Sequence, residues 1–234
     1  YKYNFIISRE SEREALIDQI NDLDIRFAVL DTKETNDAQK LITAIKARDK
    51  KVIETATHTK NVSSQDLFAG LLMANRSKER IRKLSRRLGT QITGDSRVRD
   101  DIDTIFISAG LKEARNLKPA LDYISGKEYK VLILNSWKVN EAYNLRDVDL
   151  FHTLNSDMPI MMPIQLPQFI PKSKGTRNFA IGYDSFEILM LIFSSVNKRD
   201  FVYKGLTGKI KLGQPEIERK PYVFKLTNEG LEIL

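Results

Sequence analysis

The chain has 234 residues, 41% of them hydrophobic and 29% charged, a formal net charge of +7 and no cysteine. Its length suits one large domain or two small lobes. The missing cysteines exclude disulfides, thiolate metal sites and cysteine nucleophiles within these residues, and no apolar run approaches the ~20 residues that span a bilayer.

In chain order, a strand is expected at residues 3–7 and a helix at 10–20, with Ser8 and Ser11 as candidate caps. The start Tyr1-Lys2-Tyr3-Asn4, without an initiator Met or a cleavage pattern, reads as a cut into a longer protein. Four strand–helix units follow. Residues 25–30 are a short apolar run, and 35–49 carry Ala38, Leu41, Ile42 and Ile45 at helical spacing. Residues 52–57 form the second strand, before one long helix over 64–88. Residues 102–108 form the third, with a helix over 112–123, and residues 131–134 the fourth. Strands alternating with helices predict an α/β fold, a mostly parallel sheet with helices on its faces and right-handed crossovers. Ligands in such sheets bind beyond the carboxyl ends of strands. Those ends carry Asp31, Thr32, His58, Ser108, Ala109, Gly110 and Asn135.

The pattern changes after about residue 150. Pro159, Pro163, Pro167 and Pro171 recur every four residues in an apolar stretch, which predicts an extended crossing segment. A helix is expected over 183–196, started by Asp184 or Ser185. The tail is β-like over 203–212 and 220–226, with turn chemistry at Gly213 and Pro215.

Chemistry is sparse. There is no G-x-G-x-x-G, no G-x-x-x-x-G-K-[ST] and no G-x-S-x-G. Nucleotide binding is disfavoured further by Asp31 and Glu34 at the first strand–helix turn, where phosphate would be repelled. His58 and His152 are the only histidines, and structural roles fit them better than a Ser-His-Asp triad. Asp100, Asp101 and Asp103 lack the Gly and Glu of a calcium loop and read as flanking a strand. No catalytic residue, metal or cofactor is expected. Residues 76–88 hold seven basic side chains and one acid, with Ile81, Leu84 and Leu88 on one helical face. A solvated face and a docking face for an acidic partner both fit. No aromatic residue interleaves for base stacking, and nucleic acid is not an expected partner.

Three stretches resemble one family. Arg99-Asp100-Asp101-Ile102-Asp103-Thr104-Ile105-Phe106-Ile107 with Ala114-Arg115-Asn116-Leu117-Lys118-Pro119 is the most specific. Asn155-Ser156-Asp157-Met158-Pro159 and Gly205-Leu206-Thr207-Gly208-Lys209-Ile210-Lys211-Leu212 are the others. They resemble the LppC/LpoA-type lipoproteins, outer-membrane activators of penicillin-binding proteins. The chain departs from that family at Asn155-Ser156, where relatives often carry a phenylalanine–cysteine pair.

The resemblance implies a type-1 periplasmic-binding-protein-like fold with its first lobe truncated. Residues 8–154 would form the main α/β lobe, 155–200 a crossing segment and helix of the other lobe, and 201–234 a hairpin rejoining the main lobe. It also implies a non-enzymatic envelope lipoprotein that stimulates a class A penicillin-binding protein, a peptidoglycan synthase, with peptidoglycan as a further partner. The protein would sit at the periplasmic face of the outer membrane, held by an N-terminal lipid outside these residues. Arg80, Arg82, Lys83, Arg86 and Arg87 are the candidate docking surface. The alternative is a periplasmic binding protein for amino acids or peptidoglycan fragments, its ligand cleft lined by Asp31, Thr32, Ser108, Ala109, Gly110 and Asn135.

Overall fold

Short β-rich runs flanked by amphipathic helices leave a chain one economical way to bury its apolar side chains: strands side by side, helices over them. The computed structural model shows this arrangement. It describes residues 9–20, 26–32, 37–59, 61–94, 96–109, 111–134, 157–160, 168, 177–194, 201–212, 217–227 and 230–233. The chain divides into two units, one of residues 21–135 and one of residues 1–20 with 136–234. These cuts differ from the boundaries at 154 and 200 suggested by the family resemblance. The expected strand at 3–7 lies outside the described residues.

Helix α1 is Arg9–Ile17. The unit of residues 21–135 then runs β1 Arg26–Thr32, α2 Asp37–Lys46, β2 Lys51–His58, α3 Ser64–Leu71, α4 Ala74–Leu88, β3 Thr104–Ser108, α5 Leu111–Ser125 and β4 Lys130–Leu134. Its strands are all parallel, in the order β4-β3-β1-β2. The sheet is buried on both faces, since Phe27, Leu30, Ile105, Phe106, Ile107, Leu132 and Ile133 are all inaccessible. Phe27 and Phe106 pack at a centroid distance of 5.8 Å.

The helix expected over 64–88 is two helices. Ser63 caps the first, its side chain accepting from the Asp66 amide at 3.1 Å. The break falls at Leu72 and Met73, where Met73 adopts φ +56°, a left-handed conformation costly for a side chain with a Cβ. The kink buries Leu71, Leu72 and Ala74 together while releasing the basic remainder to solvent.

The second unit holds α1, β5 Asp157–Ile160, α6 Arg177–Ser194, β6 Phe201–Gly205, β7 Gly208–Leu212, β8 Ile217–Lys220, β9 Tyr222–Thr227 and β10 Gly230–Ile233. Strand β9 pairs antiparallel with both β5 and β10. Strands β6, β7 and β8 form an antiparallel meander. Helix α6 lays Ile188 onto its Ile210, Leu212 and Ile217. The expected strand over 203–212 is therefore two strands, folded back at Leu206 and Thr207. The crossing segment lies outside the described residues beyond β5, apart from residue 168.

Candidate functional site

The carboxyl edge of the parallel sheet gathers several of the residues singled out from sequence. Asp31, next to last in β1, stands directly opposite Ser108 of β3, and Thr32, its last residue, stands opposite His58 of β2. The Thr32 hydroxyl donates to the Ser108 carbonyl oxygen at 3.2 Å, and the Ala109 amide donates to the Leu134 carbonyl at 3.3 Å. Thr32, Ser108 and Ala109 are all buried, and Asp31 is half-buried. This edge is thus stitched strand to strand by its own polar groups, as buried donors and acceptors require. Gly110, Asn135 and His152 lie outside the described residues.

The opposite edge explains the most specific stretch of the sequence. Arg99 grips Asp101 through Nε at 2.5 Å and Nη2 at 2.7 Å, and reaches Glu54 of β2 at 3.2 Å. Asp103 accepts from the Arg26 backbone amide at 3.0 Å and from its guanidinium at 2.8 Å, while the Asp103 amide returns a bond to the Arg26 carbonyl. Asp100 pairs with Lys127 at 2.8 Å, and the Tyr129 hydroxyl donates to the Arg99 carbonyl. The cluster ties the amino ends of β1 and β3 together and reaches the middle of β2 through Glu54. The hydrogen bond from Arg99 holds the Asp101 carboxyl below its ordinary range, and Lys127 does the same for Asp100. Each of the three aspartates faces a cation of the protein itself. Among the described residues no group of three or more His, Asp and Glu is set to hold a metal ion.

A second buried cluster accounts for Gly205-Leu206-Thr207-Gly208. Asp184 of α6, fully buried, accepts from the Leu206 amide at 2.7 Å, the Thr207 amide at 2.8 Å and the Thr207 hydroxyl at 2.5 Å. Arg219 of β8 donates to that hydroxyl at 2.5 Å and stands 3.8 Å from the carboxylate. A Cβ at Gly205 would lie 2.6 Å from the Asp184 carboxyl, and one at Gly208 would lie 2.1 Å from the Lys220 carbonyl. Burial and the nearby Asp184 push the Tyr203 phenol up to about 12. The sequence marked Asp184 only as a helix start. It lies in the second turn of α6, and its partners 22 to 35 residues downstream were not legible locally.

The basic segment is the exposed helix α4. Ala74 is its only buried residue, and Leu84 and Leu88 are 49% and 64% exposed. It rests on the following loop through the Ile92 amide donating to Ser85 Oγ and the Arg97 amide donating to Ser77 Oγ, each at 3.0 Å. Arg80, Arg82, Lys83, Arg86 and Arg87 all lie exposed on this one helix, and among the described residues none of them enters an ion pair. No helix among the described residues is long and apolar enough to cross a membrane.

Known structures share this architecture. Full-length LpoA from Haemophilus influenzae aligns with a TM-score of 0.62 and 12% identity, over 97% of this chain and 39% of that one. The LpoA (YraM) C-domain from the same organism, a regulator of PBP1A, aligns with a TM-score of 0.58 and 11% identity, over 97% of this chain and 67% of the domain. LivJ, the branched-chain amino acid transporter substrate-binding protein of Streptococcus pneumoniae, solved with isoleucine, aligns with a TM-score of 0.53 and 9% identity, over 97% and 66%. The chain therefore spans 39% of full-length LpoA. At such identities these likenesses speak for the fold, which is that of type-1 periplasmic binding proteins. No curated protein sequence matches the chain. The model of the family described as "LppC putative lipoprotein" matches residues 5–224. That span takes in the Arg99 clamp and the Asp184 turn, the two clusters that hold the strands in place, and the chain belongs to the LppC lipoprotein family.

Proposed function

We propose that this protein is a non-enzymatic envelope lipoprotein that binds and stimulates a class A penicillin-binding protein, and so regulates peptidoglycan synthesis. The family match over residues 5–224 carries this reading, joined to a fold shared with a regulator of PBP1A. The carboxyl edge of the sheet supports it, because the polar groups of Thr32, Ser108 and Ala109 described there are spent on neighbouring strands. Stimulation without chemistry is allosteric, a coupling of about 1–3 kcal/mol between docking and the synthase's active conformation. Docking would use Arg80, Arg82, Lys83, Arg86 and Arg87 of α4. The protein would work at the periplasmic face of the outer membrane, lipid-anchored, with peptidoglycan as a further contact.

The test is reconstitution. Purified class A synthase from the parent bacterium, given lipid-linked precursor, should form glycan strands and crosslinks several-fold faster with the protein present. Unchanged rates together with no co-purification would sink the reading.

A small-molecule receptor is the second reading, favoured by the likeness to LivJ and by Asp31 standing half-buried opposite Ser108. It predicts a rise in melting temperature with amino acids or muropeptides, since a ligand of the native state stabilises by mass action.

A further inference from the structure

Helix α4 concentrates the charge of the whole chain. Its seven cations less Glu79 leave six of the net +7 on 15 residues. At about 100° per residue, the seven basic side chains sweep roughly 200° of the helix. Within that arc Arg76, Arg80, Lys83 and Arg87 fall in one stripe, spaced four, three and four residues apart along roughly 16 Å. Leu84 and Leu88 border the stripe on one side and are half-exposed or more. The loop after the helix meets it through Ser77 and Ser85, on the same side as the leucines, since Ser77 falls between Leu84 and Leu88 around the helix.

We propose that this face docks an acidic amphipathic helix of a protein partner. Such a helix would present carboxylates at the same i, i+4, i+7, i+11 rhythm and two apolar side chains that cover Leu84 and Leu88. The proposal rests on the regulatory reading above and specifies the chemistry of the surface that the synthase would bring. A protein helix fits better than the other anionic candidates. A lipid surface favours bulky aromatic anchors, and single-stranded nucleic acid favours stacking platforms. Residues 69–105 contain no Phe, Tyr or Trp. A ladder of cations with a flanking apolar pair is instead the complement of one helix face, where charge sets register and partner choice and the leucines supply burial.

The experiment uses the chain itself and a fluorescent helical peptide of about 18 residues. The peptide carries Glu at i, i+4, i+7 and i+11 with two flanking leucines, and a control carries Gln instead. Anisotropy at low ionic strength should show the Glu peptide binding at least about tenfold more tightly than the control, with affinity falling as salt rises. The R76E/R80E/K83E/R87E variant should lose that preference while keeping its melting temperature. A second variant, L84S/L88S, keeps every cation and should lose affinity for both peptides. Equal binding of the two peptides, retained binding by the quadruple variant, or tighter binding to phosphatidylglycerol vesicles than to the Glu peptide would each overturn the proposal. The synthase assay separates the two readings. If the quadruple variant stimulates synthesis as well as the natural chain, this surface is wrong and the function stands. If neither stimulates but the Glu peptide binds selectively, the function is wrong and the surface stands.

Discussion

Asp184 holds Thr207 by two hydrogen bonds at once, from its amide at 2.8 Å and from its hydroxyl at 2.5 Å. The turn between β6 and β7 is thereby fixed to a helix that begins 30 residues earlier. Removing the carboxylate strands the Arg219 charge and two turn amides in a dry site. Asp184→Ala is expected to cost about 3–5 kcal/mol. Asp184→Asn, which keeps one acceptor, is expected to cost about 1–3 kcal/mol. Urea unfolding followed by circular dichroism measures both, and equal midpoints for Asp184→Ala and the natural chain would dismiss this role.

Gly208 combines φ +132° with a backbone carbonyl where a Cβ would lie. Since that neighbour is main chain, relief requires moving β8 itself. Gly208→Ala is expected to destabilise by more than about 3 kcal/mol. Gly126→Ala is the comparison, because it shares a positive φ but has open space around the Cβ, and it should cost only about 1 kcal/mol.

Met73 offers the opposite sign. Its left-handed backbone interrupts two helices without a side-chain cap. Met73→Gly removes the Cβ clash, and part of the gain is offset by the added freedom of the unfolded chain. A net stabilisation of about 0.5–1 kcal/mol is expected in thermal unfolding.

Acid should loosen the amino edge of the parallel sheet. Asp100 and Asp101 bind protons less readily in the folded state than in the unfolded one. The unfolded state then holds more protons, so stability rises with pH. The contribution is complete above the unfolded carboxyl pKa of ~3.9 and is lost as pH falls through the lower folded values. Asp101 is half-exposed and its pair is screened, so the effect is on the order of 0.5–1 kcal/mol. Asp101→Asn should flatten the acid limb of a stability–pH curve, and an unaltered limb would remove Asp101 from the account.

Alkali should act on the other unit. The Tyr203 phenol, pushed up to about 12, stays protonated in the folded state where the unfolded chain, at ~10, has already lost its proton. Stability should therefore decline as pH rises above ~10. Tyr203→Phe should remove its share of that decline in guanidinium titrations.

Much of this fold was legible in short windows. The runs at 25–30, 102–108 and 131–134 are apolar, and the strands β1, β3 and β4 within them are buried side by side in the sheet. What failed to show was non-local or conformational. The break at Met73 carries no Gly or Pro, and Gly205-Leu206-Thr207-Gly208 reads as strand until Asp184 is placed beside it. The family stretch around Arg99 was visible as a pattern, but its purpose was not. Arg26 stands 77 positions from its partner Asp103, Glu54 45 from Arg99, and Lys127 27 from Asp100. At the carboxyl edge, Thr32 and Ser108 are expected from sequence to face a ligand cleft, and their bond to each other is visible only in the fold. The structure spends the Thr32 hydroxyl on the Ser108 carbonyl.

Helix α4 has a further property that follows from how little holds it. With one buried residue and two serine tethers, it lacks the tertiary packing from which most helices draw their stability. Its cations at positions four apart, such as Arg76 with Arg80 and Arg82 with Arg86, repel one another along the helix. Raising the ionic strength therefore tightens this helix, and the amides of residues 78–88 exchange with solvent sooner than those of β3. An anionic face laid against it does locally what salt does in bulk, so that contact and ordering arrive together.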